Sequence, residues 1–105
     1  MYTLTTRELV IERDGGLCIL CYHAGAEVHH VVPRSLWGKN KARDSAKNLC
    51  VLCKDCHTDT RQGHDEIVRL LGLLHDRYGY DYWEPIYRPW AAEMYEARHV
   101  AYRGS

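Results

Sequence analysis

The stretch EVHHVVPR, residues 27–34, places two histidines side by side in a short β-branched run that a proline ends. Such runs favour strands, and a proline ends them because it cannot donate to a strand ladder. Burying a polar ring costs free energy unless the ring finds a partner. The neighbouring rings of His29 and His30 therefore require an explanation other than packing.

Two Cys-x-x-Cys pairs flank this stretch, Cys18 with Cys21 and Cys53 with Cys56, and 31 residues separate them. Each pair can direct two thiolates at one ion, and two pairs complete a tetrahedral four-cysteine zinc site. All four positions of such a site are filled, so its role is structural. A redox motif is the alternative for a single pair, but the βαβ context of that motif is missing here.

Cys50 is the fifth cysteine, and it precedes Cys53 at the same spacing. The second pair can therefore be read in two ways. We assign Cys53 and Cys56 to the metal and expect Cys50 to be a small buried residue on a strand. An odd number of cysteines without a secretion signal disfavours a disulfide framework, and metal binding is the better explanation.

The charge of the chain is uneven, although the formal net charge of its 105 residues is zero. The segment from residue 34 to 47, which we call the basic loop, carries five Lys or Arg against one acid, Asp44. Such a cluster either holds phosphates or is a solvated loop. No segment approaches the ~20 apolar residues that cross a bilayer, and no basic leader precedes an apolar run. We expect one small domain in a soluble, intracellular protein.

The first half of the chain predicts one helix, two strands and the start of a second helix. Thr5 and Glu8 can form a capping box for a short helix that Gly15 and Gly16 end. EVHHVV and NLCVLC read as strands, and a helix begins in CKDCHTDTRQG.

The second half predicts two longer helices. Apolar residues recur at helical spacing over residues 65–78, and Pro89 suits the first turn of a last helix that reaches about Ala101. Trp90, Met94, Ala97 and Ala101 would face inward on that helix. The fold class is α+β, a small hairpin-like pair of strands held among helices.

The segments VHHVVPR and NLCVLCKDCH together resemble the HNH endonuclease family, in the branch that carries a four-cysteine zinc. The resemblance covers about residues 18–61 and implies a ββα-metal core, in which two strands and a helix surround one divalent ion. We predict a single HNH nuclease domain over residues 1–105. A short N-terminal helix precedes the core, and a helical extension with two helices follows it at about residues 64–102.

The resemblance also implies a role for each matching residue. By position, His29 resembles a metal ligand and His30 the general base. Asn48 resembles the central asparagine, which braces a loop or touches the ion, and His57 resembles the closing metal ligand. Some members place another histidine four residues later, where this chain has Arg61, a residue that could instead contact phosphate.

The implied reaction is metal-dependent hydrolysis of DNA phosphodiester bonds by a one-metal mechanism, leaving 3′-hydroxyl and 5′-phosphate ends. The cofactors would be a structural Zn²⁺ and a catalytic Mg²⁺ or Mn²⁺, with Ni²⁺ also suited to imidazole. One site cuts one strand, so nicking is expected, and the sequence does not indicate an oligomer. The expected DNA-binding residues are Arg34, Lys39, Lys41, Arg43, Lys47 and Arg61.

The alternative function is a zinc-stabilised module that binds DNA or protein without cutting. It explains the cysteines and the basic loop, but it gives no reason for His29, His30 and His57 to occur together. A nuclease-like scaffold that has lost activity is a further alternative. Small members of this family resemble phage or prophage products that act with terminase and packaging proteins, while others resemble restriction or homing enzymes. The expected location is the cytoplasm of a bacterial or phage-infected cell.

Overall fold

The computed structural model describes residues 5–36, 41–59 and 63–104. The chain divides into two compact units, residues 1–61 and 62–105. Whether the second unit is an extension of one nuclease domain stays a prediction. The elements of the first unit are α1 (Thr6–Arg13), β1 (Glu27–His30), β2 (Leu49–Leu52) and α2 (Lys54–Asp59), and those of the second are α3 (His64–Tyr78) and α4 (Arg88–Ala97).

Helix α1 begins at the predicted capping box and packs on the sheet. The Thr5 hydroxyl accepts from the Glu8 amide at 3.2 Å, and the Glu8 carboxylate accepts from the Thr5 amide at 3.4 Å. Gly15 and Gly16 follow the helix at φ 68°, a conformation that strains residues with a Cβ atom. Val10 of α1 is buried in a cluster with residues of β2, so α1 covers one face of the sheet.

Strands β1 and β2 form a two-stranded antiparallel sheet in which Glu27 lies opposite Leu52 and His30 lies opposite Leu49. Successive side chains of a strand point to opposite faces. Val28 packs in the cluster beneath α1, and His30 lies on that same face. His29 lies on the other face, where its ring contacts His57 of α2. The α+β class with a two-stranded sheet is confirmed.

Strand β1 ends two residues earlier than predicted, at His30 rather than Val32. The cause is Asn48, whose side-chain amide takes the place of a backbone partner at Val32. The Val31 amide donates to the Asn48 carbonyl at 2.9 Å, and the Val32 amide donates to Asn48 Oδ1 at 2.9 Å. The chain is therefore held in place there without a regular strand.

The described part of the connection between the strands contains three short 3₁₀ turns, Arg34–Leu36, Lys41–Asp44 and Ala46–Asn48. Arg13 fastens α1 to the end of this connection, because its guanidinium donates to the Ala46 and Leu49 carbonyls at 2.9 Å and 2.8 Å. The basic loop is turn-like in its described part, as predicted.

The second unit contains the two predicted helices, but the last one is shorter than expected. Helix α3 runs to Tyr78 as predicted. Helix α4 ends at Ala97 rather than Ala101, because His99 takes a left-handed conformation at φ 59°. Ala97 and Ala101 are exposed, so their predicted inward orientation is wrong.

The buried face of α4 is formed by Ala91, Met94 and Tyr95. Trp83 stacks on Tyr95 with the ring centroids 4.3 Å apart, so aromatic rings supply much of this core. None of the helices in the described ranges has both the length and the apolar character needed to cross a bilayer.

Candidate metal and catalytic site

The sulfur atoms of four cysteines lie within 4.8 Å of one another, and these are Cys18, Cys21, Cys53 and Cys56. The sulfurs of Cys21 and Cys53 are 3.6 Å apart. Two sulfurs bound at about 2.3 Å to one tetrahedral zinc would lie about 3.8 Å apart. The cluster is therefore compatible with a structural metal such as zinc.

The first cysteine pair lies in a tight turn held by backbone hydrogen bonds. The Cys18 amide donates to the His23 carbonyl at 2.8 Å, and Tyr22 takes the left-handed conformation at φ 66°. A Cβ atom on Gly25 would lie 2.8 Å from the Leu52 carbonyl oxygen. Gly25 thus lets the two cysteine segments approach closely, a role that the sequence did not reveal.

Position separates Cys50 from the four cysteines of the cluster. Burial alone would raise the pKa of Cys18, but hydrogen bonds from backbone amides, that of Cys53 foremost, lower it to about 6. Burial raises the pKa of Cys50, which is fully buried and lies outside the cluster. Its burial and its position outside the cluster suit Cys50 to packing rather than to metal binding.

A pair of histidines lies on the α2 face of the sheet. The rings of His29 and His57 are 5.4 Å apart between centroids and meet edge to face at 73°. His29 is 4% exposed, and its Nε2 atom has no hydrogen-bond partner in the described part of the chain. Burial, followed by the charges of His57 and His30, lowers the pKa of His29 to about 4. A neutral, buried imidazole nitrogen without a partner fits a metal ligand.

Glu27 orients the second histidine of this pair. A Glu27 carboxylate oxygen lies 2.6 Å from His57 Nδ1. An ionised carboxylate only accepts, so Nδ1 carries the proton and the lone pair for an ion lies on Nε2. The sequence reading missed Glu27, although its spacing of two from His29 places both on one strand face.

His30 faces the other side of the sheet. Its Nε2 atom lies 2.8 Å from Asp44 Oδ1, and the two side chains share the wall of a cavity of about 300 Å³. The cavity is lined by Thr6, Arg7, Val28, His30, Asp44 and Leu49. The side chains of His29 and His30, neighbours in the sequence, thus lie on opposite faces of β1.

Asn48 is fully buried and braces the turns that precede β2. Its amide nitrogen donates to the Val32 and Arg43 carbonyls at 3.2 Å and 2.9 Å, and Oδ1 accepts from the Val32 amide. The family resemblance implied that Asn48 either braces a loop or touches the ion. Its contacts with backbone groups are those of a residue that braces a loop.

The sequence model of the HNH endonuclease family matches residues 18–63. We call residues 18–63 the HNH region. This HNH region contains the cysteine cluster, both strands and α2, whereas α1, α3 and α4 lie outside it. No curated protein and no solved structure matches the chain.

The HNH region contains a cluster of four cysteines that could bind a metal ion and, apart from it, the pair His29 and His57. Among the described residues, the only two groups of three or more close ligand side chains are the cysteine cluster and an exposed trio of His64, Asp65 and Glu93. His29 and His57 belong to neither group. An ion held by this pair would keep open positions for water and phosphate, as a catalytic site requires.

The predicted DNA-binding residues are described in part. Lys39 and Arg61 lie outside the described residues, and for Arg34 and Lys41 the structure describes the backbone alone. Arg43 Nε lies 3.7 Å from an Asp44 carboxylate oxygen.

Proposed function

We propose that this chain is a metal-dependent DNA endonuclease that nicks duplex DNA. The observation that carries the proposal is the histidine pair on the α2 face. The buried Nε2 atom of His29 has no described partner, and Glu27 holds the facing His57 by Nδ1. The match of residues 18–63 to the HNH endonuclease family supports nuclease chemistry at this pair.

The donor set of the pair suits a hard or borderline divalent ion. A divalent ion held by His29 and His57 would polarise the scissile phosphate and stabilise the departing oxygen. Mg²⁺ retains much of its water and tolerates few protein ligands, and imidazole also suits Mn²⁺ and Ni²⁺. We propose Mg²⁺ or Mn²⁺ as the working ion, beside a structural Zn²⁺ in the cysteine cluster.

His30 is the proposed general base. A histidine can take a proton from water near neutral pH, and general bases typically contribute ~10²–10⁴-fold to a rate. Strand β2 pairs with one edge of β1, and no described strand pairs with the other. A phosphate at that second edge can be approached by side chains from both faces, which would allow His30 and His29 to serve one reaction.

The basic loop is the proposed DNA contact, together with Arg61. Contacts from Lys and Arg to phosphates give an affinity that falls with salt and carries no sequence information. The Asn48 side chain donates to the Arg43 carbonyl in this loop, so the brace also holds the loop backbone there. We propose DNA as the partner; no described contact bears on a packaging protein.

The test is nicking of supercoiled plasmid by the zinc-loaded chain with Mg²⁺ or Mn²⁺. We expect nicking by the parent chain and a loss of at least about 100-fold in His30→Ala. His64→Ala, an exposed histidine of the second unit, is the matched control and should nick normally. Equal nicking by His30→Ala would remove His30 as the base. If the parent chain binds DNA but does not cut it with either ion, the non-catalytic binding module would be favoured.

A further inference from the structure

Asp44 is the one acid in the basic loop, and its carboxylate contacts the proposed general base. We propose that Asp44 is the positioning residue of His30, fixing both the orientation of the ring and the nitrogen that faces water. This role rests on the proposed nuclease function. Asp44 lies in the turn Lys41–Asp44, fourteen residues beyond His30, so neither strand nor helix periodicity joins the two.

The turn that carries Asp44 is itself held in place by the buried brace. Asn48 donates to the Arg43 carbonyl at 2.9 Å, directly before Asp44 in the chain. The same amide is bonded to Val32, which follows β1. A chain of contacts therefore runs from Asn48 through the turn to Asp44 and then to His30. Asn48 thus acts on the base indirectly, through the backbone it holds.

The chemistry of the contact determines which nitrogen of His30 is basic. An ionised carboxylate only accepts hydrogen bonds, so the neutral imidazole carries its proton on Nε2 and its lone pair on Nδ1. The charged groups around the pair are Arg7 on the cavity wall, Arg43 beside the Asp44 carboxylate, and His29 next along the strand.

Exposure distinguishes this pair from a structural ion pair. The side chains of His30 and Asp44 are 23% and 54% exposed. Ion pairs this open to solvent contribute little to folding stability. A fixed but solvent-accessible carboxylate beside a histidine is suited to positioning, and Asp44 can be replaced with little expected loss of fold.

The first experiment reads the tautomer of His30 directly. Long-range ¹H–¹⁵N spectra of the zinc-loaded full chain, without another divalent ion, should show the proton of His30 on Nε2. The His30→Ala variant assigns the signals, and Asp44→Ala should yield a mixture of tautomers. A parent spectrum with the proton on Nδ1, or an unchanged tautomer in Asp44→Ala, would overturn the inference.

The second experiment separates positioning from DNA binding. We expect Asp44→Asn to lower kcat roughly 10- to 100-fold without raising KM, because only part of the general-base contribution is lost. Glu12→Gln removes one exposed negative charge from the same unit and should leave kcat unchanged. An unchanged kcat in Asp44→Asn would overturn the role of Asp44 while leaving the nuclease proposal intact. An inactive parent chain would overturn the nuclease proposal, and the spectra would still report whether Asp44 sets the tautomer.

Discussion

The four-cysteine cluster and the histidine pair lie in the same unit and differ in how many ligands the chain supplies. The cluster brings four sulfurs within 4.8 Å of one another, two from a tight turn and two from the start of α2. The histidine pair contributes one ring from β1 and one from α2, 5.4 Å apart. The first set would close the coordination shell of an ion, and an ion held by the second would keep most of its positions for water and substrate.

The difference in ligand number predicts that one site stabilises the fold and the other supports catalysis. A closed site contributes its binding free energy to folding, because the unfolded chain has no preformed site. An open site contributes less to folding, and its vacant positions are those at which a substrate can be activated. Variants of the two sites should therefore fail in different ways.

Loss of a cysteine from the cluster should have the largest effect of all the variants, because it should unfold the first unit. Structural zinc contributes about 10–16 kcal/mol in small zinc domains, which matches or exceeds the whole stability of a typical domain. We expect Cys53→Ser to lose zinc and to unfold the first unit, as measured by metal analysis and by amide NMR. Cys50→Ala is the control and should keep its zinc. Zinc retained by Cys53→Ser, or lost from Cys50→Ala, would contradict the assignment.

Loss of a histidine ligand should spare the fold and remove activity. The Lewis-acid contribution of an ion is several kcal/mol, so His57→Ala should nick roughly 10²- to 10⁴-fold more slowly. Its zinc content and unfolding temperature should stay close to those of the parent. Normal nicking by His57→Ala, or loss of zinc from this variant, would contradict the division into a structural cysteine site and a catalytic histidine site.

The buried His29 should make stability depend on pH. Because burial lowers the pKa of His29 from 6.5 to about 4, the unfolded chain binds a proton in this range and the folded chain does not. The free energy of unfolding should therefore fall by up to about 3 kcal/mol as the pH drops from 6.5 to 4. Urea unfolding of the zinc-loaded chain measures this fall. His29→Leu lacks the group, and an equally steep fall in that variant would contradict the explanation.

Removal of the Glu27 carboxylate should weaken the open site without abolishing it. Partners that orient a ligand histidine are typically worth 10- to 100-fold in metal affinity. We expect Glu27→Gln to require roughly that much more Mn²⁺ for half-maximal nicking, and saturating Mn²⁺ should restore the rate. Glu12→Gln should titrate like the parent. A defect in Glu27→Gln that no concentration of Mn²⁺ restores would place Glu27 in another role.

Replacing one lysine of the basic loop should have the smallest effect, a modest loss of DNA affinity. Each phosphate contact contributes about one counterion to the salt dependence of binding. Lys47→Ala should bind DNA a few-fold more weakly and reduce the slope of log affinity against log salt by about one. Arg69→Ala, on the exposed surface of α3, is the control. An unchanged slope in Lys47→Ala would remove Lys47 from the interface.

The cysteine cluster and the helices were predictable because they depend on local spacing. A Cys-x-x-Cys turn directs both sulfurs to one point whatever surrounds it, and the capping box of α1 spans only four residues. The end of α4 was placed four residues too far, at Ala101, because the left-handed His99 has no sequence signal of the kind that glycine gives.

The partners of the histidines were not predictable from spacing alone. Glu27 reaches His57 only once α2 lies against β1, and Asp44 reaches His30 only through a turn that Asn48 holds. Both acids are ordinary in the sequence, one at the start of a strand and one among cations. Long-range hydrogen bonds bring them to the histidines, and no short motif encodes such contacts.

The most direct test of the account is anomalous diffraction from a crystal of the zinc-loaded chain soaked in Mn²⁺. Data collected at the manganese and zinc absorption edges would identify each ion by element. We predict zinc among the four cysteine sulfurs and manganese beside the Nε2 atoms of His29 and His57. Zinc at the cysteines with no manganese at the histidines would contradict the claim that one fold holds a closed structural ion and an open catalytic one.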